Sequence, residues 1–155
     1  MSDHHSPVSD GVILRHAVAR DELIACFPVI SALRRSLKDE QEWVSRALEM
    51  ELRGYRVLAV WEGDRPVALA GYRVMDNLIH GRFLYVDDLI TLEDQRGKGR
   101  GAALLTELSV IGKDEACRRL VLDTAAANID ARRFYTREGL LDVVIGFVKP
   151  LTEDA

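Results

Sequence analysis

The residues best suited to chemistry stand six in a row, Arg96, Gly97, Lys98, Gly99, Arg100 and Gly101, with Ala102 behind them. Three cations within five positions suit a polyanionic ligand. The alternating glycines remove side chains where backbone must pass close to that ligand. A helix is predicted to begin at once, with Leu104, Leu105, Leu108 and Ile111 as its apolar stripe and Gly112 near its end. Its first turn would leave N–H groups unpaired and the positive end of its dipole facing the loop, a seat for a pyrophosphate. Other chemistries also use glycine-rich loops. A nucleotide P-loop needs Lys-Ser or Lys-Thr after the second glycine, and Gly99 is followed by Arg100. A dinucleotide fingerprint reads Gly-x-Gly-x-x-Gly after an early strand, with an acid about 20 positions on. Here the spacing is Gly-x-Gly-x-Gly, late in the chain. A glycine-rich turn with solvated basic residues is the plain alternative.

Asp87 and Asp88 are the second feature, two acids in an otherwise apolar strand. Adjacent strand residues face opposite sides, so the two are not expected to form one carboxylate pair. Tyr85 on the same strand is a further cleft candidate. His80 precedes Gly81 in a loop that also holds Asp76 and Asn77, and either lines a site or sits on the surface. Glu93 and Asp94 read as a solvated turn. Tyr135, paired with Phe134 on an amphipathic helix, reads as a core aromatic or as a phenol available to chemistry. Cys26 and Cys117 lie in apolar-patterned segments without metal-ligand spacing and read as reduced, buried thiols. His4 and His5 fall in a polar stretch and are better read as solvated than as metal ligands.

The elements that must position these residues follow from periodicity. Residues 1–10 read as a flexible tail and residues 11–151 as one domain. Val12, Ile13 and Leu14 start a short strand. Asp21 is a plausible N-cap for residues 23–33, and Pro28 inside that stretch predicts a kink or two short helices. A helix is expected over residues 39–53, stopped by Gly54. Strands over residues 55–61 and 66–74 flank a hairpin turn at Glu62, Gly63 and Asp64, and a third strand spans residues 82–92. After the glycine loop and its helix come a strand at Leu120, Val121 and Leu122, a helix over residues 130–138 ending at Gly139, and a last strand over residues 140–148. The order is α/β (α+β mixed), a mixed sheet with helices on its faces.

A chain of 155 residues, 48% hydrophobic and 30% charged, can bury a core of its own. No apolar run approaches the roughly 18 residues of a membrane helix, and the N-terminus lacks secretory features. A cytoplasmic protein without membrane association is expected. The net charge of −4 argues against wrapping nucleic acid, which needs a basic footprint.

The segment from Arg96 through Leu105 resembles the acetyl-CoA-binding motif of the GNAT N-acetyltransferase superfamily, Gln/Arg-x-x-Gly-x-Gly/Ala, with Arg96, Gly99 and Gly101 at its defining positions. Downstream, Asn128, Ala131, Phe134, Tyr135 and Gly139 followed by Leu140 resemble that superfamily's second motif. Leu84, Tyr85, Val86, Asp87, Asp88 and Leu89 are similar to a subgroup of small bacterial members. The resemblance covers residues 82–149, and the first half agrees in element order alone.

That resemblance implies a mostly antiparallel central sheet whose central strands splay apart to admit pantetheine. It implies acetyl-CoA (coenzyme A) as co-substrate and no metal. Backbone at Leu89, Ile90 and Thr91 would hold the pantetheine and the acyl carbonyl. Arg96, Gly97, Lys98, Gly99, Arg100, Gly101 and Ala102 would hold the pyrophosphate, and Asn128 would lie near the arm. Transfer of the acetyl group to a small-molecule or peptide amine then needs a proton acceptor, because an alkylamine has a pKa of about 10.4. Asp87 or Asp88 would act directly or through water, with Asp88 favoured by its place next to the pantetheine-binding backbone. Tyr135 matches the tyrosine that protonates the departing thiolate in many members; a phenol there would equally orient the thioester. Asp76, Asp87 and Asp88 hint at a cationic acceptor. The resemblance leaves room for a homodimer. It also leaves open a silent acyl-CoA sensor or interaction module and, against the acidic charge, an enzyme acting on aminoacyl-tRNA.

Overall fold

The computed structural model describes residues 6–8 and 11–155, with side chains from residue 11 onward. His4 and His5 lie outside the described residues. The chain divides into two compact units, Met1–Leu122 and Asp123–Ala155.

The first unit is built on a six-stranded sheet in chain order: β1 (Ser6–Val8), β2 (Val12–His16), β3 (Arg56–Glu62), β4 (Arg65–Asn77), β5 (Gly81–Thr91) and β6 (Arg119–Leu122). Neighbours from β1 to β5 are antiparallel, and β6 runs parallel to β5. Ser6–Val8, read from sequence as part of a tail, pairs with β2, Ser6 opposite Leu14 and Val8 opposite Val12. Three helices precede β3: α1 (Arg20–Ala25), α2 (Phe27–Leu33) and α3 (Glu40–Glu51). A 3-10 turn (Glu93–Gln95) and α4 (Arg100–Asp114) lie between β5 and β6.

Alternation along β3 divides the core. Val57, Ala59 and Trp61 pack with Leu23, Val29, Ile30, Trp43 and Val44 from α1, α2 and α3 and with Cys26 at the joint between α1 and α2. Leu58 and Val60 pack on the other face with Leu104 and Leu108 of α4. Both buried indoles are satisfied: Trp43 Nε1 donates to the Leu23 carbonyl at 2.8 Å, and Trp61 Nε1 to the Arg15 carbonyl at 3.1 Å. An orphaned buried donor would cost about 1–3 kcal/mol.

Pro28 sits in the first turn of α2, where its missing N–H costs nothing, so the stretch forms two short helices. The N-cap of α1 is Ala19 rather than Asp21. Glu22 does the capping, accepting from the Ala19 N–H at 3.0 Å while also meeting Arg15. Asp39 caps α3, accepting from the Glu42 N–H at 2.8 Å. Gly54 takes the left-handed conformation that closes it.

β6 pairs with β5 only from Phe83 to Val86. β5 continues through residues 87–91, still paired to β4 on one side but with no strand partner on the other among the described residues. The pairing stops where β6 itself ends, at Leu122 opposite Val86. Among the described residues no helix is long and apolar enough to cross a membrane.

In the second unit, α5 (Ile129–Arg137) is capped by Asn128, whose Oδ1 accepts from the Ala131 N–H at 3.1 Å. It ends in a left-handed Gly139, after which the Leu140 N–H returns to the Tyr135 carbonyl at 3.0 Å. The strand expected over residues 140–148 is not formed. Its residues carry strand preference, but preference alone does not make a strand, which exists only by pairing. Leu141, Val143, Ile145 and Phe147 are exposed.

Candidate active site

The loop after β5 is shaped by backbone. Gly97 and Gly99 both have positive φ, 78° and 75°. A Cβ at either would meet nothing within 4 Å, so conformation rather than crowding demands glycine here. Gly99 is the N-cap of α4 and supplies no side-chain acceptor. Asp39 and Asn128 close the starts of α3 and α5, whereas the start of α4 is left open. The N–H groups of Gly97, Lys98, Gly99, Gly101 and Ala102 have no hydrogen-bond acceptor among the described residues. This donor set fits a phosphate group.

Of the three cations expected to face a ligand, Arg100 is 2% exposed and belongs to the interior. Arg96 and Lys98 are exposed. Leu89, Ile90 and Thr91 lie on the part of β5 that β6 leaves unpaired. Glu93 and Asp94 are exposed, as a solvated turn would be, with Asp94 3.5 Å from Arg65.

The two aspartates depart from expectation. Gly71 of β4 stands opposite Asp88 and Tyr72 stands opposite Val86, so Asp87 is the extra residue of a β-bulge. Before the bulge, Leu84 and Val86 join the α4 face; after it, Leu89 does, and Ile90 joins the other. The alternation slips by one, and Asp87 and Asp88 therefore share the face turned to α1, α2 and α3. The expectation that they face opposite sides is corrected by this bulge.

Four residues hold the pair. Tyr55, one residue before β3, donates its hydroxyl to Asp88 Oδ2 at 2.7 Å. Arg34, the C-cap of α2, donates Nε to Asp88 Oδ1 at 2.8 Å and Nη2 to the Asp87 carbonyl at 2.7 Å. Arg73 of β4 donates Nε to Asp87 Oδ2 at 3.0 Å, with its guanidinium 5.5 Å from the Tyr55 ring. Gly71 makes the room, because a Cβ there would overlap the Tyr55 hydroxyl and Asp88 Oδ2. Burial raises the Asp87 pKa above the usual carboxylate value, against the pull of Arg73. Burial and the neighbouring Asp88 charge push Tyr55 well above an ordinary phenol, so it is a donor throughout the working range. The sequence reading missed Arg34, Tyr55, Gly71 and Arg73. Arg34 stands 54 positions from Asp88 and had no local signal to give.

Each acid of the cationic-acceptor hint already faces an arginine: Asp87 faces Arg73, Asp88 faces Arg34, and Asp76 lies 3.7 Å from Arg82. Asp87 and Asp88 are therefore charge-balanced within the chain, whereas Arg82 is shared between Asp76 and Glu115, the latter nearer at 3.2 Å. His80 stacks near Phe83 and meets Arg119 at 3.1 Å, far along β5 from the pair. Tyr85 stands opposite Arg73 in the ladder. Cys26 is buried, its thiol pushed up to about 12 by desolvation; Cys117 is only half-buried, and both are free.

In the second unit, Tyr135 is half-buried with its ring 5.4 Å from Phe134. Burial raises its pKa, which keeps the phenol protonated at neutral pH. Asn128 spends its Oδ1 on the cap, leaving its amide nitrogen as a donor with no acceptor among the described residues.

The pattern of the Acetyltransferase (GNAT) family matches residues 17–140. The N-acetyltransferase YhdJ of Bacillus subtilis (strain 168), itself uncharacterized, is 26% identical over 123 residues, 79% of this chain and 87% of that protein. Among solved structures, the ribosomal-protein-alanine N-acetyltransferase from Brucella melitensis biovar Abortus 2308 superposes with TM-score 0.76 at 19% identity, covering 91% of this chain and 99% of the other. AAC(6')-Iy, in complex with the bisubstrate analog CoA-S-monomethyl-acetylneamine, gives TM-score 0.74 at 14% identity over 90% and 98% of the two chains. At such identities the structural likeness is one of fold.

Proposed function

The chain belongs to the GNAT acetyltransferase family, and on that premise we propose that it moves an acetyl group from acetyl-CoA to a primary amine by direct attack within a ternary complex. The observation that carries this reading is the open start of α4, where two left-handed glycines present unclaimed N–H groups behind the exposed cations Arg96 and Lys98. Residues from Arg96 to Ala102 bind the pyrophosphate. The unpaired edge of β5 at Leu89, Ile90 and Thr91 takes the pantetheine amides and offers N–H groups to the carbonyl oxygen as it gains charge. Asn128 contributes its amide near the arm.

The acceptor arrives as an ammonium and must lose a proton before its nitrogen can attack. A carboxylate of the Asp87 and Asp88 pair takes that proton, directly or through a water. The nitrogen bonds to the carbonyl carbon, the carbon–sulfur bond breaks, the sulfur is protonated by Tyr135, and the second proton shed by the nitrogen as it becomes an amide returns to the Tyr135 phenolate. The overall change is ammonium plus thioester to amide, thiol and one released proton. Support for Tyr135 is its motif position and a phenol that burial keeps protonated.

The acceptor is a small molecule or a peptide amine. The test is release of free thiol from acetyl-CoA across a panel of amines, with Tyr135→Phe beside the native chain. Turnover with at least one amine, lost about 100-fold in Tyr135→Phe at unchanged acetyl-CoA affinity, supports the proposal. Tight acetyl-CoA binding with no thiol release from any amine identifies a binding module instead.

A further inference from the structure

We propose that Tyr55 and Arg34 are positioning residues that lock Asp88 by both its oxygens, leaving Asp87 as the carboxylate that accepts the acceptor's proton. This deepens the acyl-transfer reading and rests on it.

The division of labour comes from the hydrogen bonds. Asp88 is 11% exposed, and each of its oxygens already accepts a bond, Oδ1 from Arg34 and Oδ2 from Tyr55. Asp87 is 22% exposed; Arg73 engages Oδ2, and Oδ1 has no hydrogen-bond donor among the described residues. A carboxylate clamped at both oxygens makes a poor proton acceptor, because each donor must be surrendered or reoriented as the proton arrives. One with a free oxygen accepts without that loss.

Arg34 adds a second hold. Its Nη2 donates to the Asp87 carbonyl, so one guanidinium fixes the backbone of the proton acceptor and the side chain of its neighbour. The bulge alone would leave that backbone freer to move. The groups facing Asp87 are Arg73 from β4, Arg34 from the end of α2, Tyr55 ahead of β3 and Asp88 on its own strand. Arg34 holds the Asp87 pKa down and Asp88 holds it up.

When Asp87 is protonated, activity is lost, so its pKa sets the acid limb of the pH profile. Arg34→Gln removes a nearby cation, and the acid limb moves to higher pH by about half a unit or more. Arg34→Lys keeps the charge and brings the limb back, while losing the fork that ties the carbonyl. Arg34 is half-exposed, so these variants keep the fold. Tyr55→Phe keeps the ring and removes the donor, and kcat falls about tenfold with the KM for acetyl-CoA unchanged.

The experiment records kcat, KM and the pH profile of thiol release for Asp87→Asn, Asp88→Asn, Arg34→Gln, Arg34→Lys and Tyr55→Phe. It also follows the aspartate carboxyl carbons of the full-length chain by NMR through a pH titration, a readout that needs no turnover. The expected result is loss of the acid limb in Asp87→Asn alone, with the limb and the Asp87 titration both raised in Arg34→Gln. Loss of the limb in Asp88→Asn with its retention in Asp87→Asn overturns the inference. So does an Asp87 titration that Arg34→Gln leaves unmoved. Native turnover in both Asp87→Asn and Asp88→Asn removes the carboxylate base from the proposed reaction itself, a different failure.

Discussion

The glycine loop and the aspartate pair are built by opposite means. The loop is a single run of chain, residues 96–102, in which two left-handed glycines and an uncapped helix start make the site from backbone. The pair is assembled from Arg34, Tyr55, Gly71, Arg73, Asp87 and Asp88, which come from α2, the approach to β3, β4 and β5. A site made of consecutive backbone tolerates change elsewhere in the fold. One made of distant side chains depends on strand register, and a slip of one residue dissolves it.

The sharpest way to break this contrast is Gly71→Ala. Its methyl would overlap the Tyr55 hydroxyl and Asp88 Oδ2, so the pair must rearrange although no charged or hydrogen-bonding group is removed. Turnover is expected to fall about 30-fold or more, with a stability loss of about 1–3 kcal/mol by thermal melting. Calorimetric affinity for acetyl-CoA stays within about twofold if the two regions are separate, since about 0.4 kcal/mol is the most that corresponds to. Gly99→Ala is the converse. With open space around the added methyl, the cost is conformational alone, about 1–2 kcal/mol. Acetyl-CoA affinity should weaken about fivefold to tenfold, while the Asp87 titration is unmoved. The smallest effect separates the cations. Lys98→Ala should weaken acetyl-CoA binding about threefold at low salt and hardly at all at high salt, as an exposed charge does. Arg100→Ala should instead lower the melting temperature, because that side chain is buried.

The same contrast explains what the sequence made legible. Glycine, cation and helix onset are contiguous letters, so the loop could be read directly, and the order of elements around it followed from periodicity. The burial of Arg100 could not, since side-chain direction at a helix start depends on what packs against it. The pairing of Asp87 with Asp88 was misread because alternation was carried straight through a bulge. Leu84, Val86 and Leu89 do change parity across the acids, but Leu89 and Ile90 are both apolar and hide the slip. Arg34 and Tyr55 belong to other elements, and nothing local marks them as partners of Asp88. At residues 140–148 the composition spoke for a strand, yet preference is not pairing, and pairing alone makes a strand.

β5 beyond Val86 carries a further consequence. Its amides alternate between bonding to β4 and facing the side that β6 has left. Hydrogen–deuterium exchange along residues 87–91 should therefore show a two-residue rhythm, slow at amides in the β4 ladder and fast at those between. A bound pantetheine arm would erase that rhythm, making this stretch a built-in gauge of cofactor occupancy that reads out in deuterons, with no chemistry required.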